Sequence, residues 1–203
     1  MFKKLASEAL GLSDIGKVVP PSDYDKVESD DFILKEDGEK IYFLIKSKAD
    51  EYCFTNLSLL HLDGDSALSK KRALKRYSFH DYTIAKVWLE TAGTVDLDVE
   101  LKFSIGGEHF SIDIIKSQID QVKDLYKALY RIASIQETNR DMHAFAEESL
   151  NTTLGTVKSG FGDSLKIETV SALNEYAFAW KKKAYTEYKR KDFGDVFEKY
   201  INN

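Results

Sequence analysis

Lys70, Lys71, Arg72, Lys75 and Arg76 fall within seven consecutive positions of a chain whose formal net charge is −5. Such a cluster could hold phosphate, or it could be the wet side of a strand. Laid out as an extended strand, Arg72, Leu74 and Arg76 share one face, while Lys71, Ala73, Lys75 and Tyr77 share the other. Charge on both faces suits an edge strand, where lysine discourages stray pairing, or a contact between subunits. As an anion site the run lacks a glycine-rich cradle, and no aromatics are interleaved on which bases could stack. The acidic excess is also the wrong sign for general nucleic-acid binding, which depends on basic groups releasing counterions. No nucleic-acid partner is expected.

The remaining reactive residue types make no catalytic pattern. Asp96, Asp98 and Glu100 stand two residues apart, but calcium wants ligands converging from a loop, not a row along a pleat. His61, His80, His109 and His143 form no HxH or HExxH arrangement. "SFHDY" brings Ser78, His80 and Asp81 together in sequence without a nucleophile elbow. Cys53, the only cysteine, lies between Tyr52 and Phe54 in a strand and reads as packing. "SGFGDS" lacks the lysine of a Walker loop. No catalytic residue, metal or cofactor is expected, and the chain does not read as an enzyme. An enzyme site made only in an assembled state is the one exception left open.

The elements that must position these residues change character along the chain. "FKKLASEALGL" spaces Phe2, Leu5, Ala6, Ala9 and Leu10 as a short amphipathic helix, and Pro20 and Pro21 then break the chain. From about Asp31 to Ile115, seven alternating runs rich in β-branched and aromatic residues read as strands: "EKIYFLIKS", "EYCFTN", "LSLLHLDG", "KKRALKRYSF", "TIAKVWLETAG", "VDLDVELKFSIGG" and "EHFSIDII". Beyond Ser117 the period becomes helical, with Ile119, Val122, Leu125, Tyr126, Leu129 and Ile132 on one stripe. The chain thus divides into an N-terminal helix and connection (1–30), a strand domain with a closing helix (31–135) and a helical extension (136–203).

The extension carries Phe145, Leu173, Tyr176, Trp180, Phe193 and Phe197. Segments this short rarely bury enough surface to stand alone. These side chains are expected to cover the strand domain, a second copy, or both.

"DGEKI" at 37–41, "FTN" at 54–56, "LDGDSALSKKRALKRYSF" and "WLETAGTVDLDVELKF" at 88–103 together resemble the bacterial pleckstrin-homology (PH) family, and the residues after about Ile135 resemble the YvbH-like oligomerisation extension. The resemblance implies a mainly β plus α fold: a seven-stranded PH-like antiparallel β-barrel capped by a helix, with a C-terminal helical extension. It implies a non-catalytic protein that forms closed rings of identical subunits. Phosphoinositide binding is not carried over, because the first hairpin loop, "KSKADEY", sets Asp50 and Glu51 beside its lysines. The expected function is a cytoplasmic scaffold or binding module that self-associates, with contacts at the six apolar residues above. Arg72 and Lys75 of one copy are expected near Asp98 and Glu100 of another. The alternative is a peripheral membrane adaptor binding anionic lipid through Lys3, Lys4, Lys70, Lys71 and Arg72.

Overall fold

The computed structural model describes residues 15–64, 72–91, 97–161 and 166–201. Among these, eight strands run in order: β1 (Lys17–Val18), β2 (Ile41–Lys46), β3 (Glu51–Thr55), β4 (Ser58–Gly64), β5 (Arg72–Ser78), β6 (Ile84–Glu90), β7 (Asp98–Ile105) and β8 (Glu108–Ile115). Three helices follow: α1 (Ile119–Phe161), α2 (Ile167–Tyr188) and α3 (Gly194–Ile201). The seven expected runs all become strands, β2 to β8. The two-residue β1 is too short to leave a pattern.

The strands form two antiparallel sheets, one ordered β1-β2-β3-β4-β5 and the other β6-β7-β8. The expected barrel is therefore not closed. On one side Gly16 stitches the sheets, donating its N–H to Asp113 O at 2.8 Å and accepting from Ile115 N at 3.0 Å. On the other side β5 and β6 do not pair among the described residues. The physical reason lies in β6: its register slips between Ala85 and Trp88, where Lys86 has φ 52°. A bulge of this kind twists an edge away from ladder pairing.

Strict alternation builds β7, which buries Val99, Leu101, Phe103 and Ile105 and leaves the intervening residues half-buried. A two-residue turn returns it to β8. Gly106 and Gly107 both have positive φ (60° and 85°), the conformation that matches the twist of a tight hairpin. Within the three-stranded sheet Phe103 stacks on Phe110 at 5.0 Å, and across to the other sheet Tyr77 meets Phe110 edge-on at 5.5 Å. Val122, Leu125, Ala128, Leu129 and Ile132 on the first turns of α1 are also buried.

The central strands β3 and β4 read as near-continuous apolar runs because both of their faces are covered. Val19, Val27 and Ile33, from a strap of short 3₁₀ turns, cluster with Leu44, Cys53 and Leu60 as a second core, against which Tyr24 and Ile41 pack. The strap thus plays the part of a missing outer layer.

The helical extension does not behave as one piece. Contacts set Ile135–Arg190 apart as one unit and join Lys191–Asn203 to the strand domain. Phe193 and Phe197, expected at a contact between subunits, are instead fully buried in their own strand domain. Their rings lie 6.0 and 6.2 Å from that of Phe79, and Phe197 stacks on Tyr42 at 5.5 Å. Asn56, in the β3–β4 turn, secures the entry to α3: its carbonyl accepts Phe193 N at 2.9 Å and its amide donates to Asp192 Oδ2 at 2.6 Å. Gly194 begins the helix so close to β2 that an added Cβ would lie 2.8 Å from Tyr42 Oη.

Truncating a buried phenylalanine typically costs about 3–5 kcal/mol. Phe197→Ala should lower the urea stability of the strand domain by about that amount, followed by far-ultraviolet circular dichroism. A change below about 1 kcal/mol would show that α3 is an appendage and not core.

Candidate functional site

β5 is the outer strand of its sheet, as its charge pattern suggests, yet its arginines are not free. Arg76 Nη1 donates to both oxygens of Glu39, at 2.7 and 2.9 Å, and its Nη2 reaches the carbonyl of Phe32 at 2.6 Å. Arg72 Nε lies 3.6 Å from Glu28 and its Nη1 4.0 Å from Glu51. Lys75 alone points away from this face, 3.9 Å from Asp63. Lys3, Lys4, Lys70, Lys71 and Asp96 lie outside the described residues.

Glu39 and Glu51 are the carboxylates that draw the arginines inward, and the side chains of both are fully buried. Besides Arg76, Glu39 accepts the hydroxyls of Thr55 and Ser58, each at 2.7 Å, and the N–H of Leu34 at 2.8 Å. Glu51 accepts Lys46 Nζ, and both the N–H and the hydroxyl of Ser29 at 2.9 Å. Burial alone would push both carboxyls up, but these donors outweigh it and hold both below their ordinary 4.5. Each acid also accepts an N–H from the strap, so together they pin it at two points. This is a structural pair: every lone pair that could work on a substrate already has a donor.

Burial pushes the Cys53 thiol far up. A groove of about 340 Å³ is lined by Pro20, Pro21, Tyr24, Tyr42, Gln121 and Asp124. Burial raises the Tyr24 phenol, while burial and then Glu198 raise that of Tyr42 to about 12, so both stay protonated near neutrality. Asp124 is paired with Lys127 at 2.8 Å. Ser78 Oγ accepts the N–H of His80 at 3.2 Å, a turn contact. His61 lies 3.2 Å from Asp50 and stacks on Tyr52. Among the described residues no group of three or more His, Cys, Asp or Glu could hold a metal ion, and no helix is long and apolar enough to cross a membrane.

The outer face of the three-stranded sheet is the acidic surface. Glu90, Glu100 and Asp113 stand opposite one another across β6, β7 and β8, with Asp98 on the same strand as Glu100. Lys102 reaches Glu90 at 2.8 Å and Glu100 at 2.9 Å. Apolar surface appears in the unit Ile135–Arg190. Leu173 and Trp180 are half-buried along the inner stripe of α2, with Ala184 buried. Met142, Phe145, Ile167, Val170, Tyr176, Phe178 and Tyr185 are exposed. The sequence alone gives no role to Glu39 and places Glu51 only as an acid of the first hairpin loop; the signal was the pairing of Arg72 and Arg76 on one strand face, which demands counter-charges.

Two sheets, a capping helix and a helical extension define a PH-like module. A family model of the bacterial PH domain matches residues 9–133, and one of the YvbH-like oligomerisation region matches 144–203. The chain belongs to the bacterial PH domain family. It is 56% identical over 204 residues to the uncharacterized protein YvbH of Bacillus subtilis (strain 168), covering all of both chains. It also resembles the crystal structure of a PH-domain-containing protein from Exiguobacterium sibiricum 255-15, at 53% identity and a TM-score of 0.85, covering 93% of this chain and 100% of that one.

A carboxyl held below its ordinary value stabilises the fold above that value and ceases to do so as pH falls through the folded one. Urea stability should therefore be level from about pH 7 to about 5 and drop steeply below the ordinary 4.5. Glu51→Gln should lower stability at neutral pH and flatten the acid slope. An unchanged slope in that variant would contradict the assignment.

Proposed function

We propose that this chain is a non-catalytic, self-associating scaffold, a PH-like domain whose helical unit, Ile135–Arg190, holds copies together. The observation that carries the reading is the apolar surface of that unit. Phe145 is 61% exposed and Tyr176 59% exposed, on α1 and α2 respectively. Large apolar patches are rare on soluble monomers, so exposed aromatic residues on both helices of one unit favour a partner surface. The match to an oligomerisation region over 144–203 supports the same reading. The proposed compartment is the cytoplasm, where the lone, buried Cys53 stays a thiol.

The six apolar positions expected at the contact fall into three groups under this reading. Phe145 and Tyr176 face a neighbouring copy. Leu173 and Trp180 stiffen the helical unit from within, and Phe193 and Phe197 serve the strand domain. Binding in place of catalysis is the reading favoured by the buried carboxylates Glu39 and Glu51, which are saturated with donors of their own chain.

Native mass spectrometry of the full chain should give a discrete multiple of the chain mass. Phe145→Glu combined with Tyr176→Glu should raise the subunit dissociation constant at least about tenfold, as for loss of an interface anchor. A wild-type chain that remains monomeric at high concentration would refute the reading.

A further inference from the structure

We infer that the lysine-bearing face of α2 in one copy docks on the outer face of the β6–β8 sheet in the next. This rests on the self-association reading and names the surfaces it uses. At 3.6 residues per turn, Ile167, Ser171, Asn174, Phe178, Lys181, Lys182 and Tyr185 share one side of α2. The half-buried stripe of Leu173, Ala177, Trp180, Ala184 and Tyr188 is on a different side. Of the glutamates of α2, Glu168 and Glu175 flank the lysine face and Glu187 lies on the opposite side. Phe178 is 70% exposed, and Lys181 has only a loose partner, Glu147, at 3.9 Å. The result is a greasy face, basic toward its C-terminal half.

The outer face of the three-stranded sheet is its complement. Like charges directly opposite in neighbouring strands are destabilising, yet Glu90, Glu100 and Asp113 make such a row across all three strands. Lys102 is shared between Glu90 and Glu100, and neither Asp98 nor Asp113 forms an ion pair among the described residues. Asp113 is raised by partial burial and then by Glu100 and Asp98, the response of a carboxylate in a negative field. Beside this row, on the same face of β6 as Glu90, Trp88 is 46% exposed. An exposed tryptophan among acids would therefore meet apolar side chains beside lysines. On β5, Arg72 and Arg76 are committed within their own chain, which leaves Lys75, 3.9 Å from Asp63, as the comparably loose cation among its described residues.

The two faces are different surfaces of one chain, so the contact is head-to-tail. Repeated contacts of that kind close into a ring where the rotation permits. Opposite charge would set the register and speed association, while the aromatic and aliphatic residues supply the area.

The test is a charge swap on the full chain, read by sedimentation velocity and native mass spectrometry at low and moderate salt. Lys181→Glu with Lys182→Glu, and separately Asp98→Lys with Asp113→Lys, should each raise the dissociation constant at least about tenfold. The four substitutions together should recover it to within about threefold of wild type. Circular dichroism controls for folding in each variant. Three outcomes overturn the inference and leave self-association intact: an oligomeric wild type insensitive to either pair, a quadruple variant no better than its worse parent, or lysine substitutions that abolish binding to phosphatidylglycerol vesicles and leave the assembly unchanged. A monomeric wild type overturns both.

Discussion

Two ionised carboxylates buried on the outside of the five-stranded sheet constrain much of this structure. An isolated buried charge is untenable, so Glu39 and Glu51 must be surrounded by donors. Glu39 recruits Arg76, Thr55 and Ser58; Glu51 recruits Lys46 and Ser29, with Arg72 nearby. Both also take backbone N–H groups from the strap, which would otherwise have few reasons to lie on a sheet. Once it does, Val27 and Ile33 are brought over Leu44, Cys53 and Leu60, and β3 and β4 have no wet face.

This constraint bears directly on function. Arginines neutralising buried acids of their own chain are poor candidates for binding phosphate, because releasing them would strand those acids. Within the basic run that stands out in an acidic protein, Arg72 and Arg76 are thus internal counter-charges. Exposed apolar surface lies elsewhere, on the helical unit, whose flanking segments both belong to the strand domain: the first turns of α1 before it and α3 after it. The exposed aromatic and basic residues of α2 and the acid row on β6–β8 are where the chain leaves interactions incomplete.

The strands were legible because a half-buried strand writes its environment into every second residue, as β7 does from Val99 to Ile105. The edge position of β5 was legible for the same reason, since Arg72, Lys75 and Arg76 put charge on both faces. β1 has too few residues to show a period, and the open seam depends on a bulge at Lys86 that leaves no local motif. The fate of the aromatic tail was legible only in part. Phe145 and Phe197 look alike in sequence, and both sit on amphipathic helices. What separates them is whether a matching hollow exists on the strand domain, here formed by Phe79, Tyr42 and the approach allowed by Gly194. That is a property of tertiary packing. Glu39 and Glu51 were hidden because an acid beside a turn normally reads as solvated.

The most direct test of this account is a double-mutant cycle in urea on Arg76→Ala and Glu39→Gln. If Arg76 is the counter-charge of a buried carboxylate, each single variant loses stability and the pair shows a coupling of about 2 kcal/mol. A coupling below about 0.5 kcal/mol, the value of an exposed ion pair, would mean that Arg76 is a surface residue after all and that the basic strand is free to serve another partner.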